Sequence, residues 1–214
     1  MTTSFLHRYL RLTLLALVAL LMPQRASAAN SFVHFGLSLA QGRYDHTTTV
    51  LADGRVMVTG GHSGFGTLSS TEILDHAAGT RVFGGNLNTP RYRHTATLLP
   101  NGKVLVTGGW GSGPLSSAEL FDPATGTWST TGSFTTGRYW HTATLLPNGK
   151  VLIAGGSDGG RTASAQLYDP ATGTWTPTGS LPYAIERHTA ILLANGKVLV
   201  TGGYNNNGEG ERQS

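Results

Sequence analysis

A unit of about 47 residues, repeated along the chain, limits what this sequence can fold into more than any other feature. A histidine marks each copy, at intervals of 48, 47 and 47 residues. These residues are His46, His94, His141 and His188. A glycine pair follows each of them at a constant distance: Gly60-Gly61, Gly108-Gly109, Gly155-Gly156 and Gly202-Gly203. Such a period is typical of stacked supersecondary units, so we expect one unit per repeat.

Each repeat begins with a predicted β-hairpin. In the second copy, apolar runs at Thr95–Leu99 and Lys103–Thr107 flank Asn101-Gly102. Asn-Gly favours a type I′ turn, in which both central residues have positive φ, and we predict that turn here. The equivalent dipeptides are Asp53-Gly54, Asn148-Gly149 and Asn195-Gly196. Four matching hairpins are therefore predicted.

A second strand pair follows in each complete repeat. Ser117–Phe121 and Thr127–Thr130 flank the segment 122–126, where Asp-Pro starts a turn and glycine ends it. The repeats lack helical periodicity, and the chain contains 30 glycines. We therefore predict an all-β propeller of four-stranded antiparallel blades, with the strand that carries each histidine innermost.

The amino-terminal residues 1–28 are predicted to be a cleaved signal peptide. His7, Arg8 and Arg11 give a basic start, an apolar run follows at Leu12–Met22, and Ala26-Ser27-Ala28 suits a signal peptidase. The apolar run is shorter than the roughly 20 residues of an ordinary membrane span. We therefore expect a secreted protein, extracellular or periplasmic, without a membrane span after cleavage. The chain has no cysteine, which excludes disulfides and thiolate metal sites.

The repeat positions divide the remaining chain into blades. Residues 29–42 read as an orphan outer strand, because Leu39 aligns with Leu87, Phe134 and Leu181 of the later copies. We predict blade 1 at 43–90, blade 2 at 91–137, blade 3 at 138–184 and a partial blade 4 at 185–214. The result is an incomplete propeller of about three and a half blades.

The spacing of glycines and aromatics resembles the kelch motif. It reads Gly108-Gly109, Phe121, Trp128 in one repeat and Gly155-Gly156, Tyr168, Trp175 in the next. The Arg-x-x-His-Thr-Ala-Thr-Leu-Leu-Pro-Asn-Gly-Lys version is similar to bacterial secreted kelch proteins related to the central domain of galactose oxidase. The resemblance covers nearly all of residues 31–204 and implies a kelch-type propeller, a fold that hosts many unrelated functions.

Kelch rings generally close with six or seven blades, which would need about 280 to 330 residues. Residues 29–214 number only 186, because 28 of the 214 belong to the leader. Either the sequence is a truncated part of a longer protein, or copies associate to complete a ring. Both alternatives leave open blade edges, through which we expect self-association.

The recurring polar residues read first as structural. Four histidines in equivalent positions are spread around a ring, so we expect each to be hydrogen-bonded inside its blade rather than to bind a metal. Arg43, Arg91 and Arg138 each precede a histidine by three residues, and we expect charge-assisted bonds to Glu72 or Glu119. The alternative for these arginines is ligand binding. We expect the Tyr/Phe and Trp of each repeat to pack between blades.

Two functional classes compete. The first is a non-catalytic interaction module that binds a protein or a carbohydrate. The alternative is a fragment of a copper enzyme like galactose oxidase, whose tyrosine–cysteine crosslink is impossible in a chain without cysteine. The sequence shows no catalytic constellation, so we predict no catalytic residues, no metal and no cofactor. Formal charge falls from +4 to +1 when Arg8, Arg11 and Arg25 leave with the leader, which gives little support to a nucleic-acid partner.

The connections in a four-stranded meander alternate between two ends of the blade. The end with the Asn-Gly hairpins is nearly identical in every repeat, whereas the other end varies, and variable loops on a repeated scaffold are where recognition is usually placed. We therefore predict that the variable-loop face binds the partner, whose identity the sequence does not specify. The candidate binding residues are Tyr44, His62, Arg91, Tyr92, Trp110, Arg138, Tyr139 and Trp140.

Overall fold

A computed structural model describes Gly36 and residues 38–205 of the chain, and this part contains strands and turns only. Within it, no helix has the length and apolar character needed to cross a bilayer. The strands are β1 Thr47–Val50, β2 Val56–Thr59, β3 His62–Ser63, β4 Gly66–Thr67, β5 Ser70–Asp75, β6 Thr80–Asn86, β7 Thr95–Leu98, β8 Val104–Thr107, β9 Ala118–Asp122, β10 Thr127–Thr131, β11 Thr142–Leu145, β12 Val151–Ala154, β13 Ala165–Asp169, β14 Thr174–Thr178, β15 Ile185–Glu186, β16 Thr189–Leu192, β17 Val198–Thr201 and β18 Tyr204–Asn205.

Three four-stranded antiparallel sheets form the blades. Blade 1 has the order β1-β2-β5-β6, blade 2 the order β7-β8-β9-β10, and blade 3 the order β11-β12-β13-β14. Blade 4 consists of the pair β16–β17. The first strands of successive blades contact one another, and the sheets do not close into a ring. The prediction of an all-β, incomplete propeller of about three and a half blades is confirmed.

The predicted signal peptide, residues 1–28, lies outside the described residues. Of the predicted outer strand at 29–42, the structure describes Gly36 and 38–42, and these residues are not in a strand. They are nevertheless tied to blade 1: the Ala40 N–H donates to Glu72 Oε2 at 2.8 Å, and Arg81 donates to the Ser38 carbonyl.

The Asn-Gly hairpins form where predicted, but the turn type differs. The Gly102 N–H donates to the Leu99 carbonyl and the Leu99 N–H to the Lys103 carbonyl, while only Gly102 has positive φ, at 82°. This is a three-residue loop, a type I turn followed by a left-handed glycine. The type I′ prediction was wrong because the residue before the Asn-Gly or Asp-Gly pair also belongs to the loop. Proline, with φ fixed near about −65°, suits this first central position of a type I turn in blades 2 and 3, and Ala52 and Ala194 occupy it in blades 1 and 4.

The apolar core lies between successive blades. One buried cluster joins blades 1 and 2 and includes Met57, Val104 and Phe121; another joins blades 2 and 3 and includes Leu105, Val151 and Tyr168. Strand β8 is buried along its whole length, since both of its faces are covered by neighbouring blades. Each fully buried aliphatic side chain of this kind contributes roughly 1.5–3 kcal/mol.

The glycine pairs let neighbouring blades approach closely. Gly108 has φ +59°, and a Cβ there would lie 2.7 Å from Cε1 of His141 in the next blade. Gly109 has φ +98°, and its Cβ would lie 2.8 Å from His94 Cβ. No side chain fits at either position. The glycine pairs therefore allow strand ends to pack closely.

Each tryptophan of the kelch-like spacing forms a hydrogen bond to the preceding blade. Trp128 Nε1 donates to the Gly84 carbonyl at 3.1 Å, and Trp175 Nε1 donates to the Gly132 carbonyl at 2.7 Å. Trp175 also lies 5.0 Å from the ring of Tyr168, its cross-strand neighbour. The prediction that these aromatics pack between blades is confirmed.

Blade 4 lacks outer strands in the described part of the chain, and its apolar side chains are correspondingly open. Val104 and Val151 are fully buried in blades 2 and 3, but their equivalent Val198 is partly exposed. Ile191 and Leu199 are 60% and 46% exposed. This edge is the surface on which the predicted self-association would depend.

Candidate functional site

Three positions of each repeat lie at the variable-loop end of the blade. Two belong to an antiparallel bridge between the residue two before the histidine and the residue after the glycine pair. These pairs are Tyr44 with His62, Tyr92 with Trp110, Tyr139 with Ser157 and Glu186 with Tyr204. The third is the residue directly before each histidine: Asp45, Arg93, Trp140 and Arg187. The same backbone geometry thus presents different chemistry in each repeat.

The residues directly before the histidines share a left-handed backbone. Asp45, Arg93, Trp140 and Arg187 have φ values of 53°, 55°, 54° and 57°, and they are the non-glycine residues with positive φ in the described part of the chain. Such a conformation costs a side-chain-bearing residue free energy and persists where the surroundings enforce it. Here, main-chain hydrogen bonds between successive blades hold these residues in the left-handed conformation.

Hydrogen bonds join these left-handed residues in a row. The Arg93 N–H donates to the Asp45 carbonyl at 2.9 Å and the Trp140 N–H to the Arg93 carbonyl at 3.3 Å. The Arg187 N–H donates to the Trp140 carbonyl at 3.1 Å. The row therefore crosses all four repeats and brings their side chains together on one face.

Guanidinium groups and aromatic rings alternate along this row. The Arg93 guanidinium carbon lies 4.9 Å from the Tyr92 ring centroid and 4.2 Å from that of Trp140. The Arg187 guanidinium carbon lies 3.5 Å from the Trp140 ring centroid. These distances are within the range of cation–π attraction, so Trp140 holds an arginine from each neighbouring repeat.

Aromatic contacts extend the arrangement to either side. His62 lies 5.2 Å from both Tyr44 and Tyr92, and its Nδ1 shares a 2.9 Å hydrogen bond with the Tyr44 hydroxyl. Trp110 meets Tyr139 edge to face at 4.9 Å, and Tyr139 lies 4.7 Å from Trp140. We call the whole set the aromatic–arginine band. It comprises Tyr44, His62, Tyr92, Arg93, Trp110, Tyr139, Trp140 and Arg187.

Six of the eight predicted binding residues belong to the band, but two do not. Arg91 and Arg138 are 0% and 1% exposed. Arg91 donates to the Gly108 and Ser117 carbonyls and forms an ion pair with Glu119 at 2.6 Å. The expectation that these arginines are exposed for a ligand was wrong, because their guanidinium groups are buried and donate hydrogen bonds to main-chain carbonyls. The structural alternative, pairing with Glu119, is confirmed for Arg91.

Arg93, Arg187 and Asp45 are the site residues that sequence reasoning missed. Their common signal is the position directly before each histidine, which changes from Asp to Arg, Trp and Arg within an otherwise uniform motif. Phe65 was also missed as a site residue. It lies between β3 and β4, three residues after His62, and is 99% exposed.

The repeated histidines have a structural role that differs from the expected one. Nε2 of His94, His141 and His188 lies 2.9, 3.1 and 3.0 Å from the Thr47, Thr95 and Thr142 hydroxyls of the preceding blade. They therefore bond between blades, not inside each blade. Burial lowers the pKa of His94 and of His141 to about 3, and the neighbouring charges of Arg91 and Arg138 act in the same direction. Among the described residues, no group of three or more acidic, histidine or cysteine side chains could hold a metal ion.

Comparison with known proteins bears on the repeats. No curated protein is significantly similar to this chain. A model of the kelch motif matches residues 90–135 and 141–182, which cover blades 2 and 3. The relation to the galactose oxidase domain stays a prediction. The match in two adjacent repeats, with the sheet order described above, supports the interpretation of this chain as a kelch-repeat protein.

Proposed function

We propose that this protein is a non-catalytic, secreted interaction module that binds a protein or glycan partner through the aromatic–arginine band. The observation that carries the proposal is the concentration of stacked aromatic and arginine side chains on one face. Tryptophan, tyrosine and arginine are enriched among the few residues that dominate the binding energy at protein interfaces. Kelch repeats generally mediate protein interactions, which favours a protein partner.

The contrast between the two ends of the blades supports this assignment. At the opposite end, all four blades carry the same hairpin. Blades 2 and 3 also carry the same Lys–Asp pair, Lys103 with Asp122 and Lys150 with Asp169. Uniform ends serve the scaffold, whereas the band differs from repeat to repeat. A surface that varies on a constant support is suited to recognition of one particular partner.

Export is part of the proposal and rests on the leader sequence. Cleavage after Ala28 removes the basic leader and leaves a nearly neutral module. Amino-terminal sequencing of the protein recovered from outside the cytoplasm should begin at Ala29. A mature protein that still carries Leu12–Met22 would contradict export by a cleaved signal.

The binding role can be tested by removing band side chains. The exported chain is screened against a glycan array and a displayed peptide library, and the best ligand is titrated against Trp140→Ala and Trp110→Ala. Each variant should weaken binding about ten-fold or more, as expected for interface anchors. Phe83→Ala is the matched control, because Phe83 is an aromatic residue 65% exposed on the outer strand β6, outside the band.

Two outcomes would contradict the proposal. One is a ligand whose binding survives both tryptophan changes but is abolished by folded variants in the segment Asp122–Gly126 at the opposite end. The other is copper-dependent peroxide production from a primary alcohol by the purified protein, which would favour the galactose oxidase-like alternative.

A further inference from the structure

The two arginines of the band differ in their partners. Arg93 Nε donates to Asp45 Oδ2 at 2.8 Å, so its charge is already compensated. Arg187 is exposed and has no carboxylate within ion-pair distance in the described part of the chain; its side chain contacts the rings of Trp140 and, at 5.9 Å, Tyr204. A guanidinium stacked by its face on a ring still presents its in-plane N–H groups to another acceptor.

We propose that Arg187, held against Trp140, is the subsite at which the band receives a carboxylate side chain from an acidic protein segment. This inference rests on the proposed function and names the chemistry of the partner. A planar guanidinium and a carboxylate match in a bidentate pair, with two parallel N–H···O bonds. The stacking on Trp140 orders the fork in advance and lowers the entropic cost of forming that pair.

Three observations favour a protein segment over an acidic glycan. The guanidinium groups 4.2 and 3.5 Å from the Trp140 ring centroid occupy positions that a stacked sugar ring would need. Trp110 and Tyr139 meet edge to face at 86°, which does not form the flat platform that sugar stacking uses. Phe65, 99% exposed in the turn that follows the band residue His62, offers an apolar contact suited to a protein partner.

Binding of a fluorescein-labelled deca-glutamate peptide, followed by anisotropy at low and moderate salt, tests the subsite. Arg187→Asn removes the charge and fits the left-handed backbone at φ 57°, because asparagine tolerates that region. We expect it to weaken binding about five-fold, the scale of a partly exposed charge pair. Arg187→Lys keeps the charge but loses the bidentate fork, and should recover only part of the affinity.

Asp45→Asn supplies the opposite test. It keeps a residue suited to φ 53° and releases Arg93 from its 2.8 Å ion pair. A second guanidinium without a compensating carboxylate should then strengthen peptide binding about five-fold. Lys197→Gln is the charge-matched control: it removes one positive charge from an exposed residue at the opposite end and should leave binding unchanged.

The outcomes separate this inference from the proposed function. Equal binding by wild type and Arg187→Asn, or no binding of deca-glutamate to wild type, would overturn the subsite. Arg187-dependent binding of oligogalacturonate without binding of deca-glutamate would overturn the choice of a protein segment. If another ligand still depends on Trp110 and Trp140 in those cases, the proposed function stands; if none does, that function fails as well.

Discussion

Blades 2 and 3 have the same strand order and a buried arginine in the same place, yet they differ in how its charge is balanced. In blade 2, Glu119 Oε1 accepts from Arg91 at 2.6 Å, and Glu119 Oε2 accepts from the Asn88 N–H at 2.7 Å. In blade 3 the equivalent residue is Gln166, which donates to the Thr135 hydroxyl. Arg138 keeps its bonds to the Gly155 and Ser164 carbonyls but has no ion pair in the described residues.

The comparison separates what positions the arginine from what neutralises it. Backbone carbonyls hold the guanidinium in both blades, because those contacts persist without the carboxylate. The carboxylate instead compensates a charge taken out of water. Among the described residues that compensation is missing in blade 3, and Arg138 Nε and Gln166 Oε1 are both buried there without hydrogen-bond partners. Burial lowers the pKa of Arg138, opposed by the more distant charge of Asp158.

The largest effect should come from making blade 2 like blade 3. Glu119→Gln would leave Arg91 buried without its ion pair and would weaken the acceptors for the Asn88 and Thr89 N–H groups. We expect the free energy of unfolding in urea to fall by about 3 kcal/mol. Gln166→Ala is the control, because it changes the equivalent position of blade 3 without removing an ion pair. A loss below about 1 kcal/mol for Glu119→Gln would mean that the ion pair does not compensate the buried charge.

Acid should destabilise both blades through their histidines. His94 and His141 have a folded-state pKa of about 3 against an ordinary value of 6.5, so between these values the unfolded chain binds more protons. Their stabilising effect is fully present above pH 6.5 and is lost as the pH falls. At pH 5.5 the two together should cost about 3 kcal/mol of unfolding free energy relative to pH 7.5. A flat urea midpoint across this range would show that these rings accept protons when folded.

The reverse exchange, Gln166→Glu, should make blade 3 like blade 2. The new carboxylate would pair with Arg138 and accept from the preceding connection. Because desolvating a second charge offsets part of the gain, we expect an increase of about 1.5 kcal/mol in the free energy of unfolding. Thermal or urea unfolding measures it. An unchanged or lower stability would mean that Gln166 already suits its site.

The smallest effect should be equal in both blades. Trp128→Phe and Trp175→Phe each remove one N–H bond to a carbonyl of the preceding blade and keep most of the ring contact. Each should lower stability by about 1 kcal/mol. Unequal losses in urea unfolding would show that the blades also differ at their outer strands.

Sequence periodicity predicted most of the fold because each repeat supplied an independent copy of the same signals. The pairing of Arg91 with Glu119 was predictable, since the first two repeats each have an arginine three residues before the histidine and a glutamate in the second strand pair, Glu72 or Glu119. The turn type was missed because a glycine with positive φ occurs in two-residue and in three-residue hairpin loops, so the Asn-Gly dipeptide alone does not give the loop length. The burial of Arg138 without an acidic partner was not predicted, because main-chain carbonyls bind its guanidinium and every residue type has a main-chain carbonyl.

The site was harder to predict than the fold. Arg93 and Arg187 contact Trp140 from neighbouring repeats, and strand alternation says nothing about residues at left-handed positions before a strand. The aromatic members, such as Trp110 and Tyr139, were identified because they vary between repeats at a fixed place. The shared surface of Arg93 and Arg187 became evident only from the main-chain hydrogen bonds that join their repeats.

That row has a consequence for how such a surface can change. Main-chain bonds from Asp45 through Arg93 and Trp140 to Arg187 fix the spacing between side chains at the pitch of the blades. Because the spacing is set by the main chain, exchanging a residue in the row changes the chemical group at that position and leaves the other positions in place. A partner must therefore match the spacing of the blades. The order of charged and aromatic side chains along the row can change by single substitutions.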